Sequence, residues 1–506
     1  MNAQTALFSR LAVPSYVRRS LAALCLITMG LLWWHLASPP APYKIFGLYS
    51  MWTFPLLLMT SYLLSWGLYF ALSRESFSGK ATNCALTTFT LLILIGLLEI
   101  LPLLGLIDYR KVISPPESFL VTQVKPWESP GNLLDKELMH IHRPGLKMVG
   151  EKAGDLVDWL GISTERRYPL DLQYDGQGFR NEREIEQATV VALGDSFLEG
   201  VLVPQTNLVS SQLKRLLKVD VANLGQSGYG PQQELAVLQR FGIKLQPKIV
   251  LWFFFEGNDL LDVPKYERFI QDRENIIRKQ DSFRKRSFFR NALFTLTGFT
   301  APKPYDHGSE ARRRSCQFLS NQSKKDETLY FDYSGVPLSK KDLASLDTAQ
   351  NSFLQAQKLS ADVGAKFLFV YVPTKFRVYC DSCEFPQDGY GKSWQPHDLP
   401  SRMEAWCKDN GISYLDLTPA LKKSAASGDL VYFSDDGHWN AQGHQVVAEA
   451  VAQFLESGGW LTAKKGIEPR SSKTKDASEN VDSIERGMNN RYVAAIVGLI
   501  TLAAEL

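Results

Sequence analysis

The sequence predicts an α/β protein, a three-layer α/β/α domain on a parallel sheet, preceded by about three transmembrane helices. Three observations predict it. From residue 187 onward, short apolar runs with strand character alternate with helical ones, the pattern of strands joined by crossover helices. Four polar motifs each follow directly on such a run, at the carboxyl ends of parallel strands, where open α/β sheets place their sites. Three long apolar stretches crowd the amino-terminal end.

Those stretches are Ser20 to Ser38, Ile45 to Leu72 and Ala85 to Ile107. Each is near or above the roughly 20 residues a helix needs to cross a bilayer. Trp33, Trp34, Trp52, Tyr62, Trp66 and Tyr69 suit membrane interfaces. Arg10, Arg18 and Arg19 precede the first span, and Arg74 and Lys80 lie between the second and third. The loop between the first and second holds only Lys44, so the expected topology is amino terminus inside, three crossings, and the remainder outside the cytoplasm. Glu99, near the outer end of the third stretch, is expected to snorkel.

Residues 109 to 186 are turn-rich and mixed in polarity, a lead-in segment carrying short strands. The domain proper spans 187 to 458. Its first motif, Gly194-Asp195-Ser196-Phe197, ends the run Thr189 to Leu193. Asn223-Leu224-Gly225-Gln226-Ser227-Gly228 follows Asp220-Val221-Ala222, and Glu256-Gly257-Asn258-Asp259 ends Ile249 to Phe255. The last, Asp435-Asp436-Gly437-His438-Trp439-Asn440, precedes a helix in which His444 is a packing or hydrogen-bonding residue.

Together these four blocks resemble the SGNH (GDSL-type) hydrolase superfamily, of the membrane-anchored bacterial cell-envelope kind. The resemblance implies an SGNH/flavodoxin-like fold and a role for each residue. Ser196 matches the nucleophile, and its amide one oxyanion donor. Gly228, five residues past Asn223, matches the second donor, and Asn258 the third. The spacing Asp-x-x-His places the final pair on Asp435 and His438, with Asp436 the alternative partner.

The chemistry asks for these residue types. A serine hydroxyl is a poor nucleophile near neutral pH, so a base such as His438 must take its proton during attack. A carboxylate fixes the imidazole tautomer and stabilises the imidazolium. The tetrahedral oxyanion needs donors already aimed at it. Asn258 could also satisfy turn amides, and either aspartate could start a helix, with Asn440 as its N-cap.

Residues 262 to 345 interrupt the alternation. Lys265 to Arg290 holds nine basic and four acidic residues, and Phe283, Phe288, Phe289 and Phe294 interleave with Arg284, Lys285, Arg286 and Arg290. This segment reads either as a surface for anionic lipid headgroups or glycan, or as a solvated helix over the sheet. Residues 464 to 490 read as a disordered linker, and Tyr492 to Leu506 as a short apolar tail.

Of six cysteines, Cys316, Cys380, Cys383 and Cys407 lie in the part expected outside. The favoured pairing is Cys380 with Cys383 and Cys316 with Cys407, from the three that four cysteines allow. A net charge of +3 gives no case for nucleic-acid binding. The chain contains no P-loop, dinucleotide fingerprint or zinc-ligand cluster, so no cofactor or metal is expected.

The resemblance thus implies a multi-pass protein of the cell (inner) membrane with an extracytoplasmic serine esterase domain, acting through an acyl-enzyme on acyl esters. O-acetyl groups of cell-surface polysaccharide are the first substrate expected. The alternatives are an O-acetyltransferase acting on a glycan, or a non-catalytic glycan-binding or assembly component. Membrane lipid and a membrane-bound acyl-transfer protein are the partners this implies.

Overall fold

The computed structural model describes residues 14–461 apart from 38–44, 46–47, 51–52, 114–125, 127–130, 163, 281, 299–307 and 322–324. The expected linker and apolar tail lie outside the described residues.

Three helices, α1 (Ser15–Leu36), α2 (Thr53–Leu72) and α3 (Phe77–Leu103), have 22, 20 and 27 residues and are long and apolar enough to cross a membrane. Two basic side chains gather their ends. Arg18 Nε donates to the Ala71 carbonyl at 2.8 Å, and Lys80 Nζ to the Phe70 carbonyl at 2.8 Å. These carbonyls at the end of α2 would otherwise lack partners. The start of α1, the end of α2 and the start of α3 therefore lie together, and the helices run up, down and up. The second helix begins later than the apolar run, because Ile45 and Tyr49 form a backbone bridge. The third begins earlier, because Ser76 Oγ accepts from Gly79 N at 3.1 Å as an N-cap.

The lead-in forms two antiparallel pairs, β1 (Asn132–Asp135) with β2 (Met139–His142) and β3 (Lys147–Lys152) with β4 (Tyr168–Gln173). A short helix, α4 (Asp155–Leu160), stands between β3 and β4. The domain follows with β5 (Val190–Leu193), α5 (Ser196–Glu199), α6 (Val209–Leu217), β6 (Val221–Asn223), α7 (Pro231–Val237) and β7 (Ile249–Phe255). Next come α8 (Asp259–Gln280), α9 (Phe283–Arg286), α10 (Phe288–Gly298), the hairpin β8 (Ser315–Ser320) and β9 (Lys325–Tyr330), and α11 (Lys340–Asp362). The chain then runs through β10 (Lys366–Val372), α12 (Lys375–Tyr379), α13 (Leu399–Asp409), β11 (Ser413–Asp416), α14 (Thr418–Ala426) and α15 (Ala441–Ser457).

Five of these strands form one parallel sheet in the order β11-β10-β7-β5-β6. Every residue of the central β7 is buried, as expected of a strand covered on both faces. On one face Trp252 and Phe254 pack edge-on against Phe353 of α11, at 5.2 and 5.6 Å between ring centres. Those contacts favour α11 as a cover of the sheet.

The segment between β7 and β10 docks onto the amino-terminal helices. Glu99 Oε1 in α3 accepts from Ser287 Oγ at 2.9 Å and from Phe289 N at 2.7 Å. Glu99 therefore caps α10, where snorkelling was expected, because the unpaired amides of that helix start are its nearest donors. Leu293 of α10 is buried in one cluster with Ile45, Tyr49, Phe54 and Leu57.

The disulfide joins Cys316 to Cys383, with Cα atoms 5.7 Å apart, and leaves Cys380 and Cys407 free. This corrects the expected pairing. Gln317 and Glu384 exchange backbone hydrogen bonds at 2.8 and 2.9 Å, which lays β8 beside Cys383, while Cys407 is buried in the sheet-facing side of α13.

Candidate active site

Ser196 stands at the start of α5, immediately after β5. Asp195 caps the turn, its Oδ1 accepting from Phe197 N at 2.9 Å. Ser196 Oγ donates to His438 Nε2 at 2.7 Å. On the other side of the ring, Nδ1 donates to Asp436 Oδ1 at 2.6 Å. With Nδ1 carrying its hydrogen toward a carboxylate, Nε2 is left to accept the serine proton. The Phe197 ring packs on the imidazole at 4.9 Å and on Trp439 at 4.7 Å, which restricts the ring's rotation.

The imidazole partner is thus Asp436, where the motif spacing pointed to Asp435. Asp436 Oδ1 also accepts the His438 amide at 2.9 Å, so a tight turn brings residues two apart into contact. Asp435 faces the other way and accepts from the Tyr168 hydroxyl. Buried Lys375 holds the same loop, donating to the carbonyls of Phe433, Ser434 and Asp436 at 2.5, 2.8 and 3.2 Å.

Burial opposes a positive charge on His438, yet the Asp436 carboxylate, through its charge and its hydrogen bond, overcomes it and raises the imidazole above its ordinary value, which favours the imidazolium that forms once Nε2 takes the serine proton. Asp155 and Asp195 act in the same direction. Burial likewise opposes the charge on Asp436, and His438 reverses that, holding the carboxyl well below its usual range.

Gly228 and Asn258 stand in the loops that follow β6 and β7, and among the described residues no direct bond joins either to Ser196. Gly228 has φ of +77°, a backbone that favours glycine. The Gly225 amide is already taken by Asn223 Oδ1 at 2.9 Å, which leaves Gly228 the better-suited donor of the two. Asn258 Nδ2 donates to Asp262 Oδ2 at 2.5 Å, using one of its two hydrogens. His444 is buried in α15 and accepts from Val209 N at 3.2 Å, and burial holds it low, at about 3.

Three polar groups lay outside the motif reading: Asp155, Lys375 and the pair Glu199 with His142. Glu199 lies two residues past the end of the first block, and its partner His142 comes from β2. Among the described residues, Asp155, Asp436 and His438 form a set whose ligand-type atoms lie within 4.8 Å of one another. His438 Nδ1 and Asp436 Oδ1 are spent on each other, so the arrangement is that of a proton-sharing pair, not of a coordination sphere.

Residues 325–482 match the family model described as the SGNH hydrolase-like domain of the acetyltransferase AlgX. The chain carries an SGNH hydrolase-like domain. The matched stretch contains Asp436 and His438, while Ser196 precedes it. Among solved structures, the SGNH-like fold is similar to a GDSL-like lipase from Bacteroides thetaiotaomicron (14% identity, 53% of this chain and 88% of that one, TM-score 0.27). It is also similar to a catalytic mutant of an acetylxylan esterase from Geobacillus stearothermophilus (12% identity, 54% and 96%, TM-score 0.28). A third is a two-domain esterase active on acetylated mannans (11% identity, 56% and 53%, TM-score 0.28). No curated protein matches the chain.

Proposed function

We propose that this SGNH-like domain is a membrane-anchored serine esterase that cleaves acyl esters through a covalent acyl-enzyme, with O-acetyl groups of surface polysaccharide as substrate. The observation that carries the reading is the unbroken chain of bonds from Ser196 Oγ through His438 to Asp436, at 2.7 and 2.6 Å. Ser196 attacks the ester carbonyl as its proton passes to His438 Nε2. The Ser196 and Gly228 amides and the Asn258 side chain receive the oxyanion. As the tetrahedral intermediate collapses, His438 returns the proton to the departing alcohol, leaving the acyl group on Ser196. Water then releases it by the same steps in reverse.

Transfer to a glycan hydroxyl is the second reading, favoured by the acetyltransferase named in the matched family. The two share the acyl-enzyme and differ only in what attacks it. A fluorophosphonate probe should label the full chain at Ser196 and fail on Ser196→Ala, and labelling that survives in that variant would move the nucleophile elsewhere. Ser196→Ala and His438→Ala should each lose nearly all turnover, with the double variant little worse, since the two act as one unit. Acetate release from acetylated oligosaccharide without an added acceptor marks the esterase. Release that rises on adding unacetylated sugar, with acetyl appearing on it, marks the transferase.

The domain is read as extracytoplasmic. Arg18 and Lys80 gathering at the end of α2 supports that side as the cytoplasmic one. A periplasm-active reporter fused after residue 130 should then be active and one near residue 78 silent.

A further inference from the structure

The lead-in segment reaches the Nδ1 side of His438 through Asp155, at the start of α4. Its amide donates to Asp436 Oδ2 at 2.9 Å, on the oxygen that His438 does not use. Its Oδ1 accepts from Gly437 N at 3.1 Å, and its Oδ2 lies 3.8 Å from His438 Nδ1. Its side chain is about one-third exposed, against 3% for Asp436, so it approaches the imidazole from the open side. The approach is close because Gly154 lies against the Asp435 carbonyl, where any side chain would collide.

We propose that Asp155 is a positioning residue of this centre: its backbone amide holds Asp436 in place, and its side chain is a second carboxylate on the Nδ1 side of His438 that stabilises the imidazolium formed when Ser196 attacks. The inference rests on the serine acyl-enzyme reading above. Asp155 gains and loses no atom in the reaction. The Ser196 proton goes to Nε2 and leaves with the alcohol, and Asp155 acts on the charge that appears in between.

A purely local role for the side chain, accepting one amide, needs no charge. The geometry supplies more than that, because a carboxylate 3.8 Å from Nδ1 interacts with an imidazolium across a distance where protein surroundings screen poorly. The other groups facing the imidazole are Asp436 on its own loop and Asp195 before α5, with Asp332 beyond β9. Lys375 of α12 and Lys152 of β3 bring positive charge to the same carboxylates. Desolvation by the loop packed around it and then the Asp436 charge push Asp155 up to about 8, so it carries its charge in the alkaline range where the raised His438 loses its proton, and the two titrate as a linked set.

The test compares the pH dependence of kcat/KM on p-nitrophenyl acetate for the wild-type chain, Asp155→Asn and Asp155→Ala, each full length in detergent micelles. Asparagine keeps an acceptor for the Gly437 amide and removes only the charge, and circular dichroism checks that it folds. Without the charge His438 loses its proton more readily, so the acid limb should move to lower pH in both variants, by about one pH unit. The alkaline plateau of kcat should fall severalfold. A limb that stays in place in Asp155→Asn while the wild type shows Ser196-dependent turnover overturns the proposal alone. A wild type with no Ser196-dependent turnover at any pH overturns the acyl-enzyme reading and the proposal with it.

Discussion

His142 Nε2 and Glu199 Oε1 are bonded at 2.9 Å across 57 residues of chain, joining the lead-in strand β2 to the helix that begins at Ser196. The other oxygen of Glu199 accepts from Ser227 N at 2.6 Å, and His140 Nε2 lies 3.0 Å from the Ser227 carbonyl. The residue before Gly228 is therefore gripped at both its amide and its carbonyl. Loss of one oxyanion donor typically costs about 100- to 1000-fold in rate. Glu199→Ala or His142→Phe, which loosen that loop without deleting the donor, should lower kcat on p-nitrophenyl acetate roughly tenfold to a hundredfold with little change in KM. An unchanged kcat in both would remove this pair from the proposed oxyanion site.

The same pair predicts how the fold responds to acid. Burial works against a charge on Glu199, but His142, the Ser227 amide and the Tyr174 hydroxyl overcome it and hold the carboxyl well below its ordinary 4.5. A carboxyl whose pKa is lower folded than unfolded stabilises the fold above its unfolded value, and that contribution drains away as pH falls below it. Melting temperature should therefore drop from about pH 5 downward, and Glu199→Gln should flatten that slope. Parallel melting curves for the two proteins across acid pH would contradict this.

Two neighbouring aspartates should behave differently. Asp436→Asn leaves the imidazole without the anion at Nδ1 and should reduce kcat about a thousandfold or more. Asp435→Asn disturbs the Tyr168 contact and the charge beside Lys375 but leaves the imidazole its partner, and should cost less than about tenfold. Equal losses in steady-state kinetics would reject the geometric assignment.

Replacing both Cys316 and Cys383 by serine opens a cross-link between residues 67 apart. Stability should fall by about 2–4 kcal/mol, read as a lower denaturation midpoint. Replacing Cys380, a free thiol, should leave the midpoint nearly unchanged.

Much of this was legible in the chain because periodicity and punctuation report on local structure. The runs Ile249 to Phe255 and Phe367 to Val372 are apolar throughout, and both became buried parallel strands. Ser196 and His438 were readable because each sits in a compact block at a strand or helix boundary. The choice between Asp435 and Asp436 was not, since adjacent residues in a turn point in different directions and only the backbone path decides which meets the imidazole. Asp155 and His142 carry no local signal, because their meaning comes from contacts with residues up to 282 positions away. Cysteine count likewise allowed three pairings, and the β8 hairpin chose among them.

The bonds from Glu99 to Ser287 and to the Phe289 amide, with Leu293 packed beside them, tie the SGNH-like domain to α3. A domain on a slack leash sweeps a wide hemisphere and meets substrate by its own wandering. Under the proposed function, a domain tied in this way would hold its site at a set height over the bilayer, and the rate of encounter would depend on how polymer is fed past it. Cutting that tie with Glu99→Leu would trade that aim for reach.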